Sequence, residues 1–173
     1  MLSISVGLDQ VSAALRKLAA TTSNATELLA GPVDAAVSKF AEEQFASEGS
    51  KSRGGVAERW DPLTDVTRKL RQRPGHGRGG IGRDTNRLWA SLVKSQGPDA
   101  IKRVTPNTLE RGTTVPYAHF FFDGFTQTRI FGRTRTSVRH VPGRPVFPDP
   151  MPANFEQALQ RLANDFYSRK VNG

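Results

Sequence analysis

Residues 92–115 read LVKSQGPDAIKRVTPNTLERGTTV. Three short runs lie here: LVKSQ (92–96), AIKRVT (100–105) and TLERGTTV (108–115). Gly97-Pro98 and Pro106-Asn107 part them. Turn-forming pairs between short runs that mix β-branched and polar residues predict an antiparallel meander from Val93 to Thr114. That meander decides the fold class, because what flanks it reads mostly as helix.

On the N-terminal side, Leu2, Ile4 and Val6 alternate with Ser3 and Ser5, which predicts a short strand. Asp9 can cap a helix whose apolar face is Val11, Ala14, Leu15 and Leu18. Gly31-Pro32 has the form of an N-cap and first helical residue. Val33, Val37, Phe40 and Phe45 then follow at helical spacing, and Gly49 is a stop. Thr64 suits the N-cap of a short helix to about Gln72. Another short helix should open at Asp84 or Thr85 and turn Leu88, Trp89 and Leu92 inward.

On the C-terminal side, residues 125–140 alternate in the manner of a ribbon or arm rich in Arg. VPGRPVFPDPMP (141–152) holds too much proline for a helix or a central strand. Asn154 and Gln157 have capping-box spacing, and Phe155, Leu159, Leu162 and Phe166 form the inward face of a last helix. The expected fold is therefore α+β: a small antiparallel β-sheet packed against N- and C-terminal helices, with long basic Gly/Arg-rich loops or arms.

The chain has 173 residues, of which 36% are apolar, with 16 Gly and 11 Pro. That suits one domain spanning 1–173 with a modest core, about that of a 100–120-residue domain. The stretches 49–59, 73–83 and 126–141 read as loops or arms that neighbouring subunits would order. There is no Cys, so disulfides, thiolate metal sites and cysteine nucleophiles are excluded. YAHFFF (117–122) falls far short of the roughly 20 residues that a membrane-spanning helix needs. MLSISVGLDQV lacks the basic and apolar regions of a signal peptide, which makes a cytoplasmic place of synthesis and assembly the expectation.

The formal net charge is +9, which draws the protein toward phosphate or acidic surfaces. RKLRQRPGHGRGGIGR (68–83) carries six Lys or Arg, five Gly and no acid. It satisfies G-x-G-x-x-G twice. A dinucleotide fingerprint needs a strand before the glycines and a helix opening on them, but here a basic helix and Pro74 precede them. Arg71, Arg73, Arg78 and Arg83 are the candidate phosphate contacts. A second basic stretch holds Arg129, Arg133, Arg135, Arg139 and Arg144. Neither stretch interleaves enough aromatics for single-strand stacking, and no recognised reading module is present. Docking on an acidic neighbour is the stronger reading, and a small basic nucleic-acid-binding protein using the Arg/Gly loop is the alternative.

Catalytic chemistry finds no footing. His76, His119 and His140 lack metal-ligand spacing, and Asp61, Asp65 and Asp123 suit turns and caps. No nucleophile motif such as G-x-S-x-G occurs. Neither a cofactor nor a catalytic residue is expected.

Five segments, in order, carry a family resemblance: SISVGLDQVSAALRKLA (3–19), RWDPLTDVTRKL (59–70), DTNRLWASL (84–92), VPYAHFFFDG (115–124) and VPGRPVF (141–147). Together they resemble the bacteriophage virion morphogenesis, or tail-completion, family found in Mu-like phages. The second is similar to that family's W-x-P-L segment, the third to T-G-x-L-x-x-S, the fourth to Y-A-x-x-H-Q-x-G and the fifth to P-A-R-P-F. Asn86 stands where Gly is usual, Phe121 and Phe122 where His-Gln is usual, and Gly143 where Ala is usual.

The resemblance implies a structural protein of the head–tail neck or tail end. Such a protein forms or joins a ring, commonly six-fold, and its partners are copies of itself and the adjoining connector and tail-tube or terminator proteins. Genomic DNA in the channel is a further partner for the basic arms. Tyr117, Phe120, Phe121, Phe122, Arg129, Arg133 and Arg135 are then the candidate subunit contacts. Trp60, Leu63, Leu88, Trp89, Arg144 and Pro145 are the candidate structural anchors.

Overall fold

The structure, a computed structural model, describes residues 24–50, 59–73, 75–76, 79–131 and 135–172. The strand expected at Leu2–Val6 and the helix expected from Asp9 lie outside the described residues. The fold is α+β, with helices and two small antiparallel sheets. Its described elements are α1 (Thr26–Leu28), a π-helical turn (Leu29–Val33), α2 (Asp34–Ser47), α3 (Asp65–Arg71), α4 (Arg87–Trp89), a second π-helical turn (Ala90–Lys94), β1 (Ala100–Val104), β2 (Leu109–Thr113), α5 (Ala118–Asp123), β3 (Gly124–Phe131), β4 (Arg135–Pro142) and α6 (Ala153–Asn172). They fall into two compact units. One holds residues up to Ala36, Arg103–Glu110 and the C-terminal helix; the other holds Val37–Lys102 and Arg111–Pro152.

In the first unit the helical run opens ahead of the expected start. The Asn24 side chain accepts the Thr26 N–H at 2.9 Å, and Pro32 lies inside the π turn. Proline has no N–H to donate, and its ring crowds the carbonyl four residues back. The wider π turn takes up that misfit, so Gly31-Pro32 is an interior irregularity and not the helix start. Ala25 N–H donates to the Pro106 carbonyl at 2.7 Å, and Lys170 of α6 pairs with Glu27. α6 begins at Ala153, one residue before the expected cap. Phe155 is buried and Leu159, Leu162 and Phe166 are half-buried, as their spacing predicts.

The second unit holds the larger core. α2 ends where Glu48 and Gly49 turn to positive φ and the Gly49 N–H reaches the Gln44 carbonyl at 3.0 Å, a left-handed helix stop. Phe45 of α2, Trp60, Ile81, Leu88, Leu92 and Val146 pack into one cluster with Val93, Val115 and Ala118. Thr64 caps α3 as expected, its hydroxyl accepting the Thr67 N–H at 3.3 Å.

The expected three-strand meander is two strands. LVKSQ is helical to Lys94, and Ser95 at φ 48° ends it. Leu88, Leu92 and Val93 are all buried, as one side of a helix places them. A short apolar run cannot be told from a strand by periodicity alone. β1 pairs with β2 and, separately, β3 with β4.

Candidate subunit interface

α5 is six residues long, and its helical spacing sorts its side chains. Ala118, Phe121 and Phe122 share the side that meets the core, where positions three and four apart are neighbours. His119 and Phe120 are left exposed. Phe121 stacks on Phe45 with centroids 6.3 Å apart and meets Trp60 edge-on at 5.5 Å. Of the four candidate contact aromatics, Phe121 and Phe122 therefore pack on the core. Tyr117 and Phe120 are 42% and 48% exposed. Phe125, which sequence reasoning passed over, is 37% exposed and meets Phe120 edge-on at 5.6 Å. The ring centroids of His119 and Phe120 are 3.8 Å apart.

The aromatic strip runs into the β3–β4 ribbon through a close crossing. At Gly124 (φ 77°) an added Cβ would lie 2.4 Å from the Val141 carbonyl oxygen, and at Gly143 one would lie 2.2 Å from that of Phe122. Two glycines let the strand leaving α5 pass the strand that returns. Beyond the crossing, Phe125 pairs with Val141, Gln127 with Arg139, Thr128 with Val138 and Arg129 with Ser137. Thr126, Thr128 and Ser137 to His140 are exposed, Val138 at 66%. The register puts Arg129, Arg135 and Arg139 in the same alternate set of positions. Arg133 lies outside the described residues.

The Gly/Arg loop is folded onto the second unit. Ile81 is buried, and its N–H donates to the Glu48 carboxylate at 3.2 Å. At Gly82 (φ 77°) an added Cβ would stand 2.7 and 2.8 Å from the rings of Phe45 and Phe121. Arg71 donates to the Gly80 carbonyl at 2.9 Å, and Asp84 holds His76 at 3.0 Å. Arg83 sits 4.9 Å over the Trp89 ring, which Lys94 approaches at 5.0 Å. Of the four candidate phosphate contacts, Arg71 and Arg83 thus have internal roles, Arg73 is exposed, and Arg78 lies outside the described residues. A lone isoleucine among glycines was the signal that this loop has an anchor.

The candidate anchors converge. Trp60 is buried, and its indole N–H donates to the Pro145 carbonyl at 3.3 Å. Arg144 donates to the Asp61 carbonyl at 3.0 and 3.3 Å, and its backbone N–H to that of Phe121 at 2.8 Å. Leu88 is fully buried, and Leu63 and Trp89 pack against the same cluster. Burial pushes the Arg144 pKa down, Asp61 pulls it up, and nearby Arg71 lowers it further. Asp99 lies below the usual carboxylate range because it accepts from Arg87 at 2.5 and 2.6 Å. The same bond raises Arg87.

Among the described residues no group of three His, Asp or Glu side chains could hold a metal ion, and no helix is long and apolar enough to cross a membrane. No protein-family model, curated protein or solved structure matches the chain.

Proposed function

We propose that this chain is a non-enzymatic assembly protein of a phage particle. It would form or join a ring at the head–tail neck or tail end, where it completes the tail or attaches it to the head. The observation that carries this reading is the β3–β4 ribbon. A two-stranded hairpin is marginal in water unless something packs on it, and its outer edges offer unpaired backbone groups to another chain. Here residues on both faces of the ribbon are exposed, Val138 among them. The ribbon begins at exposed Phe125, which meets exposed Phe120 edge-on, and Tyr117 before α5 is exposed too; aromatics with arginines beside them are what a subunit contact is made of.

Four of the five segments that resemble the tail-completion family also meet in space. Trp60, Leu88, Phe121 and Pro145 come from four of them and are linked by ring contacts, core packing and the indole hydrogen bond. This supports reading them as one structural signature. The rival reading, nucleic-acid binding through the Gly/Arg loop, is served less well, because Arg71 and Arg83 already have partners inside the fold.

The test has two arms. Light scattering on the purified chain should give a multimer, with Phe120→Ser/Val138→Ser shifted to monomer and its melting temperature unchanged. Particles made without the chain should lack joined or finished tails. Monomer at every concentration, together with normal infectious particles in the chain's absence, would refute the proposal.

A further inference from the structure

Beside Arg144 the second unit has a cavity of about 340 Å³, at the small end of ligand pockets. Its floor is apolar, made by Ile81, Leu88 and Phe121, and two guanidinium groups, Arg71 and Arg144, line it. The Arg71 side chain is only 16% exposed, and its nearest carboxylate, Asp84, is 3.8 Å away and shared with His76. Among the described residues Arg144 has no carboxylate within ion-pair distance; its Nε and Nη2 atoms donate to the Asp61 carbonyl. Arg71 donates through Nη1 to the Gly79 and Gly80 carbonyls. Two guanidinium groups and one carboxylate therefore line a largely apolar, open-sided space, and the Asp61 and Glu48 carboxylates act on Arg144 without pairing with it.

We propose that this pocket binds one carboxylate carried on a short aliphatic stem. The stem would lie on Ile81, Leu88 and Phe121, and the carboxylate would meet the two guanidinium groups in charge-assisted hydrogen bonds. A phosphate fits less well. It has no stem to cover the apolar floor. The carboxylate could come from a glutamate side chain of another protein or from a small free acid. The site shares Tyr117 with the exposed aromatic residues, but it rests on the pocket and not on the ribbon.

The test uses the full chain labelled at isoleucine δ1 methyl groups, which stay visible in large assemblies. Ile81 lines the pocket and Ile101 does not. Glutarate, the capped tripeptide Ac-Ala-Glu-Ala-NH2 and inorganic phosphate are titrated at equal ionic strength. Both carboxylates should move the Ile81 methyl saturably and leave Ile101 in place, with phosphate at least tenfold weaker. Tighter binding of the tripeptide than of glutarate identifies a protein source, and the reverse identifies a small acid; either outcome supports the site.

Arg144→Met should weaken glutarate at least tenfold. Because Arg144 also holds the Asp61 backbone, Thr85→Glu is the second variant. Thr85 lines the pocket and is exposed, so the new carboxylate should occupy the site and weaken glutarate tenfold in a folded chain. Arg161→Met, on α6, should bind as the parent does. Phosphate binding as tightly as glutarate, an unmoved Ile81, or full affinity in folded Thr85→Glu would overturn the proposal.

Discussion

Replacing Gly82 with alanine tests whether the Gly/Arg loop is built into the core or merely lies on it. The backbone there has φ 77°, and a Cβ would stand 2.7 Å from Cε1 of Phe45 and 2.8 and 3.1 Å from Cζ and Cε2 of Phe121. Neither ring has room to retreat, because each meets Trp60 edge-on, at 5.6 and 5.5 Å. The left-handed backbone costs an alanine about 1 kcal/mol, and forcing an extra carbon into a packed site adds about 1–3 kcal/mol. For a chain of this length each kcal/mol is worth about 2–4 °C of melting temperature, so the loss should be about 4–16 °C. Gly75→Ala is the control. It has φ 88° but nothing within 4 Å of the added carbon, so only the backbone cost of about 1 kcal/mol applies. The assay is thermal melting by circular dichroism, with near-ultraviolet signals reporting on Trp60. Equal losses in the two variants would refute the packing argument, since only Gly82 touches the rings.

Trp60→Ala should cost about 3–5 kcal/mol in denaturant unfolding, as expected for emptying an aromatic site. Trp60→Phe should cost less, in part about 1 kcal/mol for leaving the Pro145 carbonyl without its indole donor; a loss under roughly 0.5 kcal/mol in the alanine variant would remove Trp60 from the core. Asp99 supplies a pH signature. Its folded pKa is depressed by the Arg87 bond, so its stabilisation is complete above the ordinary carboxylate pKa and drains away as pH falls through the folded value. The difference in melting temperature between the parent and Asp99→Asn should therefore be constant near neutrality and shrink in acid; a difference that does not change with pH would show that the pair contributes nothing.

Much of the core could be read from spacing. Thr64 before an acidic first turn, Leu88 and Leu92 four apart, and Phe155 to Phe166 on one face are local patterns, and the local physics of caps and amphipathic stripes decides them. The features that escaped need long-range information. LVKSQ looks like a strand until Leu88 and Val93 are known to meet one core. Pro32 looks like a helix start until Asn24 is seen to open the helix earlier. Phe121 and Phe122 cannot be sorted from Phe120 without knowing that VPYAHFFFDG is a helix, because a strand would alternate them differently. The pocket at Arg144 joins residues more than 80 positions apart in the chain, and no spacing rule reaches that far.

The chain's excess of positive charge has two local fates, and they bear on what partners it can have. Among the described residues, Arg71, Arg87, Arg111 and Arg144 are held by carbonyls, a hydroxyl or Asp99, while Arg83 lies on an indole. These groups still add to the long-range field, but part of each one's capacity is already engaged inside the fold, where a hydrogen bond to a charged group is worth about 1.5–3 kcal/mol. Arg139 on β4 is exposed and has no ion pair to the described residues, and it shares its alternate set of positions with Arg129 and Arg135. Beyond roughly 8 Å physiological salt screens the field, so what a partner meets at contact is set by which side chains are unencumbered. On the proposed reading, Arg139 of the ribbon is open to an acidic neighbour, while Arg71 and Arg83 of the glycine-rich loop are partly engaged inside the fold.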